Sequence, residues 1–338
     1  MNEFRNVIVI GASAGGMQAI AKVLVGLDRD IDATVLIVLH LSDRSNSANI
    51  AQSFQRHTEL QCEEAREGVL LQRGHLYVAV PGHHLMVNNG RIRITPGAYE
   101  NKHRPSIDVL FRSAAVHYGH RVIGIILTGM LEDGTSGMVA IKKCGGLCIV
   151  QDPAEAKFSD MPTSVLNKVE VDHKVGLDDM PQLILGLLRE SLPPQKPIPE
   201  TSRTESRLAE KMASSINELK QIADPSDYTC PDCGGGLWAV KDDLLHRYRC
   251  HTGHVYTERL LQELQDKNIE ESVWVSIRML EEKANMLLLI GQRAAENNDQ
   301  DLVERYRKRA RDVEGHVERL KVLLSLLDND DTGMSNSA

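Results

Sequence analysis

At 338 residues and 42% hydrophobic, the chain can bury one core of fair size plus a smaller companion. A net charge of −8 leaves no electrostatic footprint for nucleic acid, no apolar run approaches the about 20 residues of a membrane span, and the N-terminus lacks a basic-then-apolar export signal. Without that signal, six cysteines that include a C-x-x-C pair point to a metal rather than a disulfide framework, and a cytoplasmic location is expected.

The first element, Val7-Ile8-Val9-Ile10, is a run of β-branched apolar residues and predicts a strand buried on both faces of a parallel sheet. A glycine-rich turn, Gly11-Ala12-Ser13-Ala14-Gly15-Gly16, leads into a helical pattern over Met17–Leu24. Ser13 thus falls at the carboxyl end of a strand, beside the free N–H groups of a helix start. Three readings of the turn compete. A dinucleotide cradle would use Asp30 or Asp32 as its acid, but a serine replaces the middle glycine of G-x-G-x-x-G. A plain packing turn needs no chemistry, and an exposed nucleophile on a sharp elbow needs a base and an orienting acid elsewhere in the chain.

The second apolar strand, Thr34–Leu39, ends on His40 and so presents a histidine on the same sheet edge as Ser13. A short helix is expected near Ile50–Arg56. Gly74–Val87 alternates, turns at Pro81-Gly82 and continues into Arg91–Ile94, which reads as a hairpin-like insertion or edge pair. His83-His84 invites reading as a ligand pair, but adjacent residues on extended chain point opposite ways, so a shared metal is not expected there. Pro105 and Ser106 open a helix over the following apolar positions. The third apolar strand, Arg121–Leu127, runs into Thr128-Gly129-Met130-Leu131-Glu132-Asp133-Gly134, and a fourth, Leu147–Val150, ends on Gln151-Asp152-Pro153. Strand ends therefore offer Ser13, His40 and Asp133 as nucleophile, base and orienting carboxylate. Asp152 and Asp160 compete for the acid's place, and Asp133 is preferred because its glycine-flanked turn also presents backbone N–H groups.

Val7–Met17, Val38–His40, Gly74–Leu85, Arg104–Ala115, Leu127–Gly134 and Gln151–Pro162 together resemble, in order and spacing, the catalytic domain of the CheB chemotaxis protein-glutamate methylesterases. The resemblance covers residues 5 to 190. It implies that Ser13 attacks the methyl ester of a receptor glutamate, that His40 is the base and Asp133 its orienting acid, and that main-chain N–H groups of Ala14 and Met130 stabilise the oxyanion. It further implies a methylated receptor of the methyl-accepting chemotaxis type as partner, no cofactor for catalysis, and a second reaction, glutamine deamidation, on the same machinery. Two positions depart from the family pattern: Ala14 stands where threonine is common, and Leu131 where glycine is common. The usual enzyme carries an N-terminal receiver domain, whereas this chain starts at the catalytic strand; a separate response regulator is the expected substitute.

Leu192–Glu200, rich in proline, marks a domain boundary, and a polar helix is expected over about 205–223. Cys230-x-x-Cys233 on one knuckle and Cys250 with His254 on a second give the four-ligand spacing of a zinc ribbon, with His251 the alternative fourth ligand. A closed set of four protein ligands is structural. Val273, Ile277, Leu280, Ala284, Leu287 and Ala294 recur at steps of four and three, and Leu302, Tyr306, Ala310, Val313, Val317, Leu320, Leu324 and Leu327 resume the pattern after a polar loop. These predict an antiparallel helical hairpin. The expected organisation is a doubly wound, mostly parallel α/β domain over 1–190, a proline-rich linker and helix over 191–225, a zinc-ribbon-like module over 226–262, the hairpin over 263–328 and a disordered tail over 329–338. A non-catalytic signalling module that uses the esterase fold and tail for partner binding is the competing function.

Overall fold

The computed structural model describes residues 6–42, 45–211, 215–241 and 243–334, those from 327 on by backbone alone. Met1–Glu258 and Arg259–Ala338 are two compact units. In chain order the first contains β1 (Val7–Ala12), α1 (Gly16–Leu24), β2 (Thr34–Leu39), α2 (Ser47–Phe54), β3 (Gln61–Glu64), β4 (His75–Val78), β5 (His84–Asn88), β6 (Arg91–Thr95), α3 (Ile107–Tyr118), β7 (Val122–Ile126), α4 (Thr135–Lys143), β8 (Leu147–Gln151), α5 (Asp160–Lys168), β9 (His173–Val175) and α6 (Met180–Arg189). It continues through α7 (Glu200–Glu210), α8 (Ile216–Ile222), β10 (Ala223–Thr229), β11 (Gly236–Val240), β12 (Tyr248–Cys250) and β13 (Val255–Tyr256).

A seven-stranded sheet in the order β3-β4-β2-β1-β7-β8-β9 forms the centre, and every neighbouring pair in it is parallel. The β-branched runs are continuous because both faces are covered. Val7, Val9, Leu36, Val38 and Ile126 join the core beneath α3 and α4, while Ile8, Ile10, Val35, Ile37 and Ile125 join the core beneath α1 and α6. Strand order reverses at β1, which has β2 on one side and β7 on the other. Ligands of doubly wound sheets bind at the carboxyl ends of strands at such a switch point.

The alternating stretch from Gly74 divides differently from the expected hairpin. His75–Val78 enters the central sheet between β2 and β3, and only β5 and β6 pair as a separate antiparallel ribbon. His84 is buried, its Nδ1 accepts from the Ser106 N–H at 3.2 Å and its Nε2 lies 2.8 Å from Ala98 O, so both ring nitrogens have protein partners. The single polar helix expected over 205–223 is two helices, with Ser215 and Glu218 forming a capping box at the start of the second.

The proline-rich stretch runs within the first unit, because the helix and ribbon beyond it pack onto the sheet domain through buried ions. The Arg112 guanidinium reaches Glu100 at 2.6 Å and Glu205 at 3.3 Å. Arg247 holds Glu205 with two bonds of 3.0 and 3.1 Å and Asp243 with two of 2.8 Å, from Nε and from its main-chain N–H, and Arg249 meets Glu100 at 3.2 Å. Burial would raise the Glu205 carboxyl, but the Arg247 and Arg112 guanidiniums outweigh it and hold the group at about 2. A carboxyl held below its ordinary value supplies stability that is complete above its unfolded value, near pH 4.5, and is lost as pH falls toward 2. Glu205→Gln leaves two buried guanidiniums short of charge and is expected to cost about 3–5 kcal/mol at pH 7. Thermal unfolding of both proteins across pH 7 to 2 checks this; the gap between them should narrow below pH 4.5.

The second unit is a helical hairpin of α9 (Glu258–Glu296) and α10 (Gln300–Met334). Its seam holds Ile277, Ala284 and Leu287 against Ala310, Val313 and Val317, the positions that the heptad-like spacing selects. Helix α10 continues to Met334, beyond the point where a disordered tail was expected, since extending an existing helix costs far less than nucleating one. Residues 335–338 lie outside the described residues.

Candidate active site and metal cluster

Register brings the three predicted loops to one rim. Ala12 pairs with Leu39 and Gly11 with Ile126, so continuing the register sets Ser13 level with His40 on one side and Thr128 on the other, just past the ends of three adjacent strands. The His40 N–H donates to Ala12 O at 3.0 Å and the Ser13 N–H to Thr128 O at 3.0 Å, which ties the backbones of all three turns together. Buried Gln151 accepts from the Thr128 N–H at 2.8 Å, and the Thr128 hydroxyl lies 3.0 Å from Ala14 O.

His40 and Asp133 are in direct contact: Nε2 lies 2.8 Å from Oδ2. The Asp133 carboxylate is buried and collects further donors from the start of α3. The Ile107 N–H reaches Oδ2 at 2.7 Å, and the Ser106 hydroxyl and Asn101 Nδ2 reach Oδ1 at 2.9 and 3.2 Å. Burial alone would raise this carboxyl; the hydrogen bond and charge of His40, with the Ile107 N–H, hold it well below the usual carboxylate range. Because Nε2–H donates to an ionised Asp133, the other ring nitrogen keeps its lone pair. Nδ1 is buried and has no hydrogen-bond partner among the described residues. That is the atom able to take a proton.

Ser13 is half-buried, and among the described residues its hydroxyl makes no hydrogen bond, with His40 or any other group. The rim therefore brings Ser13 and His40 to neighbouring strand ends without a hydrogen bond between their side chains. Main-chain N–H groups of Ala14 and Met130 have no acceptor among the described residues. Leu131, where the family pattern favours glycine, holds φ of 63°, in the left-handed region that glycine enters freely. Gly129 is the tightest point. A Cβ there would sit 2.1 Å from Met161 Sδ and 2.8 Å from Ser13 Cβ. Gly129→Ala is expected to displace Ser13 and slow its reaction with a fluorophosphonate about 10²-fold, with circular dichroism unchanged.

Three residues of the site escaped the sequence reading. The His103 ring stacks on His40 with centroids 3.5 Å apart and planes at 10°. Burial, and next the charge of His40, push it down to about 4, so it is neutral at pH 7. Asp108 accepts from the Gly134 and Gly137 N–H groups at 3.0 and 2.6 Å, capping α4 from within α3, while Asp133 just before α4 caps α3. Asn101 Nδ2 bridges the two carboxylates, at 3.0 Å from Asp108 and 3.2 Å from Asp133. No local pattern announces these roles; the available signal is a cluster of Asn, His, Ser and Asp around a helix start. Asp152 turns instead to Lys174 at 2.9 Å, and Asp160 lies 3.5 Å from the Leu131 N–H; among the described residues neither carboxylate bonds His40.

In the ribbon, one ligand atom each from Cys230, Cys233, Cys250 and His254 all lie within 4.8 Å of one another. His254 Nδ1 is 3.6 Å from Cys230 Sγ and 3.5 Å from Cys250 Sγ, and His251 is not in the group. The hydrogen bond from Cys230 pulls the Cys250 thiol down to about 6, into the thiolate range. Three sulfurs and one imidazole at these separations fit a tetrahedral soft-ligand ion.

A model of the CheB methylesterase family matches residues 8–184. Protein-glutamate methylesterase/protein-glutamine glutaminase 2 of Anaeromyxobacter dehalogenans is 37% identical over 183 residues, 54% of this chain and 53% of that protein. A relative from Leptospira interrogans is 36% identical over 186 residues, 55% of this chain and 96% of its own length. The catalytic domain of the Thermotoga maritima CheB methylesterase, a crystal structure, superposes with a TM-score of 0.52 at 28% identity, covering 54% of this chain and 98% of that one. The chain thus spans about half the length of the Anaeromyxobacter protein, and the family match ends before the ribbon and hairpin begin.

Proposed function

The chain belongs to the CheB methylesterase family, and from that premise we propose that it is a serine hydrolase removing methyl esters from glutamates of a methyl-accepting sensory receptor. The observation that carries this reading is the His40–Asp133 pair, with Nδ1 left unpartnered, one register step from Ser13. In the reaction, Ser13 Oγ attacks the ester carbonyl carbon as its proton passes to His40 Nδ1. The tetrahedral oxyanion takes hydrogen bonds from the Ala14 and Met130 N–H groups. Collapse expels methanol, protonated by His40, and leaves a glutamyl ester on Ser13. Water then attacks with His40 again as base and restores the serine. Asp133 stays ionised throughout, holding the imidazole and stabilising its charged form. Deamidation of glutamine needs the same steps with ammonia as the leaving group.

Among the described residues no helix is long and apolar enough to cross a membrane. We place the activity in the cytoplasm, where thiols stay reduced and can hold zinc through Cys230, Cys233, Cys250 and His254. Zinc there would close the knuckle and supply no catalytic step. Methanol release from methylated receptor membranes tests the reading; a wild-type chain that releases none above background would overturn it.

A further inference from the structure

Residues 99–103 lie between the ribbon and the His40–Asp133 pair and touch both. On the ribbon side, the Asn101 N–H donates to Val255 O at 2.8 Å and the Val255 N–H donates to Tyr99 O at 3.2 Å. Lys102 pairs with Asp232, and Glu100 accepts from Arg249 at 3.2 Å. On the other side, Asn101 Nδ2 holds Asp133 at 3.2 Å and His103 stacks on His40 at 3.5 Å. Each ribbon residue in these contacts is the chain neighbour of a cluster residue: Val255 follows His254, Arg249 precedes Cys250, and Asp232 precedes Cys233. The strap is also strained. Asn101 and Lys102 hold φ of 51° and 63°, two consecutive non-glycine residues in the left-handed region. Such backbone persists only where its surroundings over-determine it, and here the ribbon supplies a large part of them.

We propose that the Cys3His ribbon is a positioning element for the hydrolytic site. Closed on its metal, it fixes the 99–103 strap, and the strap holds Asp133 and His40 in register with Ser13. Asn101 and His103 are positioning residues, and the reactivity of Ser13 depends on the metal state of a cluster outside the segment shared with the family. This rests on both the hydrolase reading of the rim and the metal reading of the ribbon.

The test uses the full chain. Zinc is counted in the purified protein, removed with a chelator under reducing conditions, and added back. Amide hydrogen exchange and fluorophosphonate labelling of Ser13 are measured in each state. Removal is expected to expose the amides of 99–103 to exchange while β1 and β2 stay protected. Labelling should slow about 10²-fold, the effect of misplacing reacting groups by about 1 Å, and recover when zinc returns. Arg249→Met, which leaves Glu100 paired with Arg112, should keep its zinc and lower kcat with KM unchanged. Strap protection and labelling that ignore the metal would overturn the proposal while leaving both underlying readings intact. A chain that labels but never holds zinc would overturn it through the metal reading. One that holds zinc but never labels would overturn it through the hydrolase reading.

Discussion

Ser13→Ala is expected to release methanol from methylated receptor membranes about 10⁴–10⁶-fold more slowly than wild type, with no change in fold. The size comes from the role proposed for the hydroxyl, since without it no acyl-enzyme forms and only binding and the oxyanion donors remain. The silence of the fold comes from the turn itself. The Ser13 hydroxyl makes no hydrogen bond among the described residues, the side chain is half-buried, and the turn is held by main-chain bonds to Thr128 and Gly16. Losing one oxygen there leaves no buried group unsatisfied, so stability should stay within about 0.5 kcal/mol. Thermal unfolding and zinc content serve as controls. Methanol release at the wild-type rate from this variant would remove Ser13 from the chemistry and with it the proposed mechanism.

The parts of this architecture that were legible in the sequence are those whose signal is local. Strands β1, β2, β7 and β8 read as apolar runs because a parallel sheet buries both faces, and the turns after β1 and β7 carry the glycines that tight strand-to-helix corners require. The hairpin seam was legible because helical spacing alone selects Ile277, Ala284 and Leu287. What escaped was set by distant contacts. β3, Gln61-Cys62-Glu63-Glu64, is an edge strand of polar residues without an apolar alternation to mark it. His75–Val78 looked like one arm of a hairpin, since its place beside β2 depends on pairing with residues some 40 positions earlier. The break between α7 and α8 did have a signal, the Ser215–Glu218 capping box, hidden within a polar stretch. Asn101, His103 and Asp108 acquire their meaning only when α3 docks against the β7 turn.

The same docking makes Asp133→Asn the most informative isostere. All five groups around the carboxylate are donors: His40 Nε2, the Ile107 and Asp108 N–H groups, the Ser106 hydroxyl and Asn101 Nδ2. An amide can accept on one side only. If its NH₂ faces His40, the ring must accept at Nε2, the proton moves to Nδ1, and the base that Ser13 needs is occupied. Beside His40 the NH₂ opposes one further donor, the Ile107 N–H; in the Oδ1 place it opposes three, the Ser106 hydroxyl, Asn101 Nδ2 and the Asp108 N–H, and that arrangement is the more disfavoured. The hydrolysis rate should therefore fall about 10⁴-fold, the effect of a wrong histidine tautomer in a serine hydrolase. Stability should fall far less than a buried carboxylate with five donors suggests. Burial, and then the negative charge of Asp133, hold Asp108 well above its usual range; the substitution removes the second of these causes, so the loss of charge at 133 relieves a repulsion against Asp108 that partly offsets the lost hydrogen bonds. The pH dependence separates the two effects. Asp133 is depressed, so its stabilising contribution is complete above its unfolded value, near 3.8, and is lost only as pH falls through the much lower folded value. Across pH 5 to 8 the gap in thermal midpoint contributed by Asp133 should be flat while the rate deficit persists; a variant that hydrolyses ester at the wild-type rate would show that His40 takes its orientation from elsewhere.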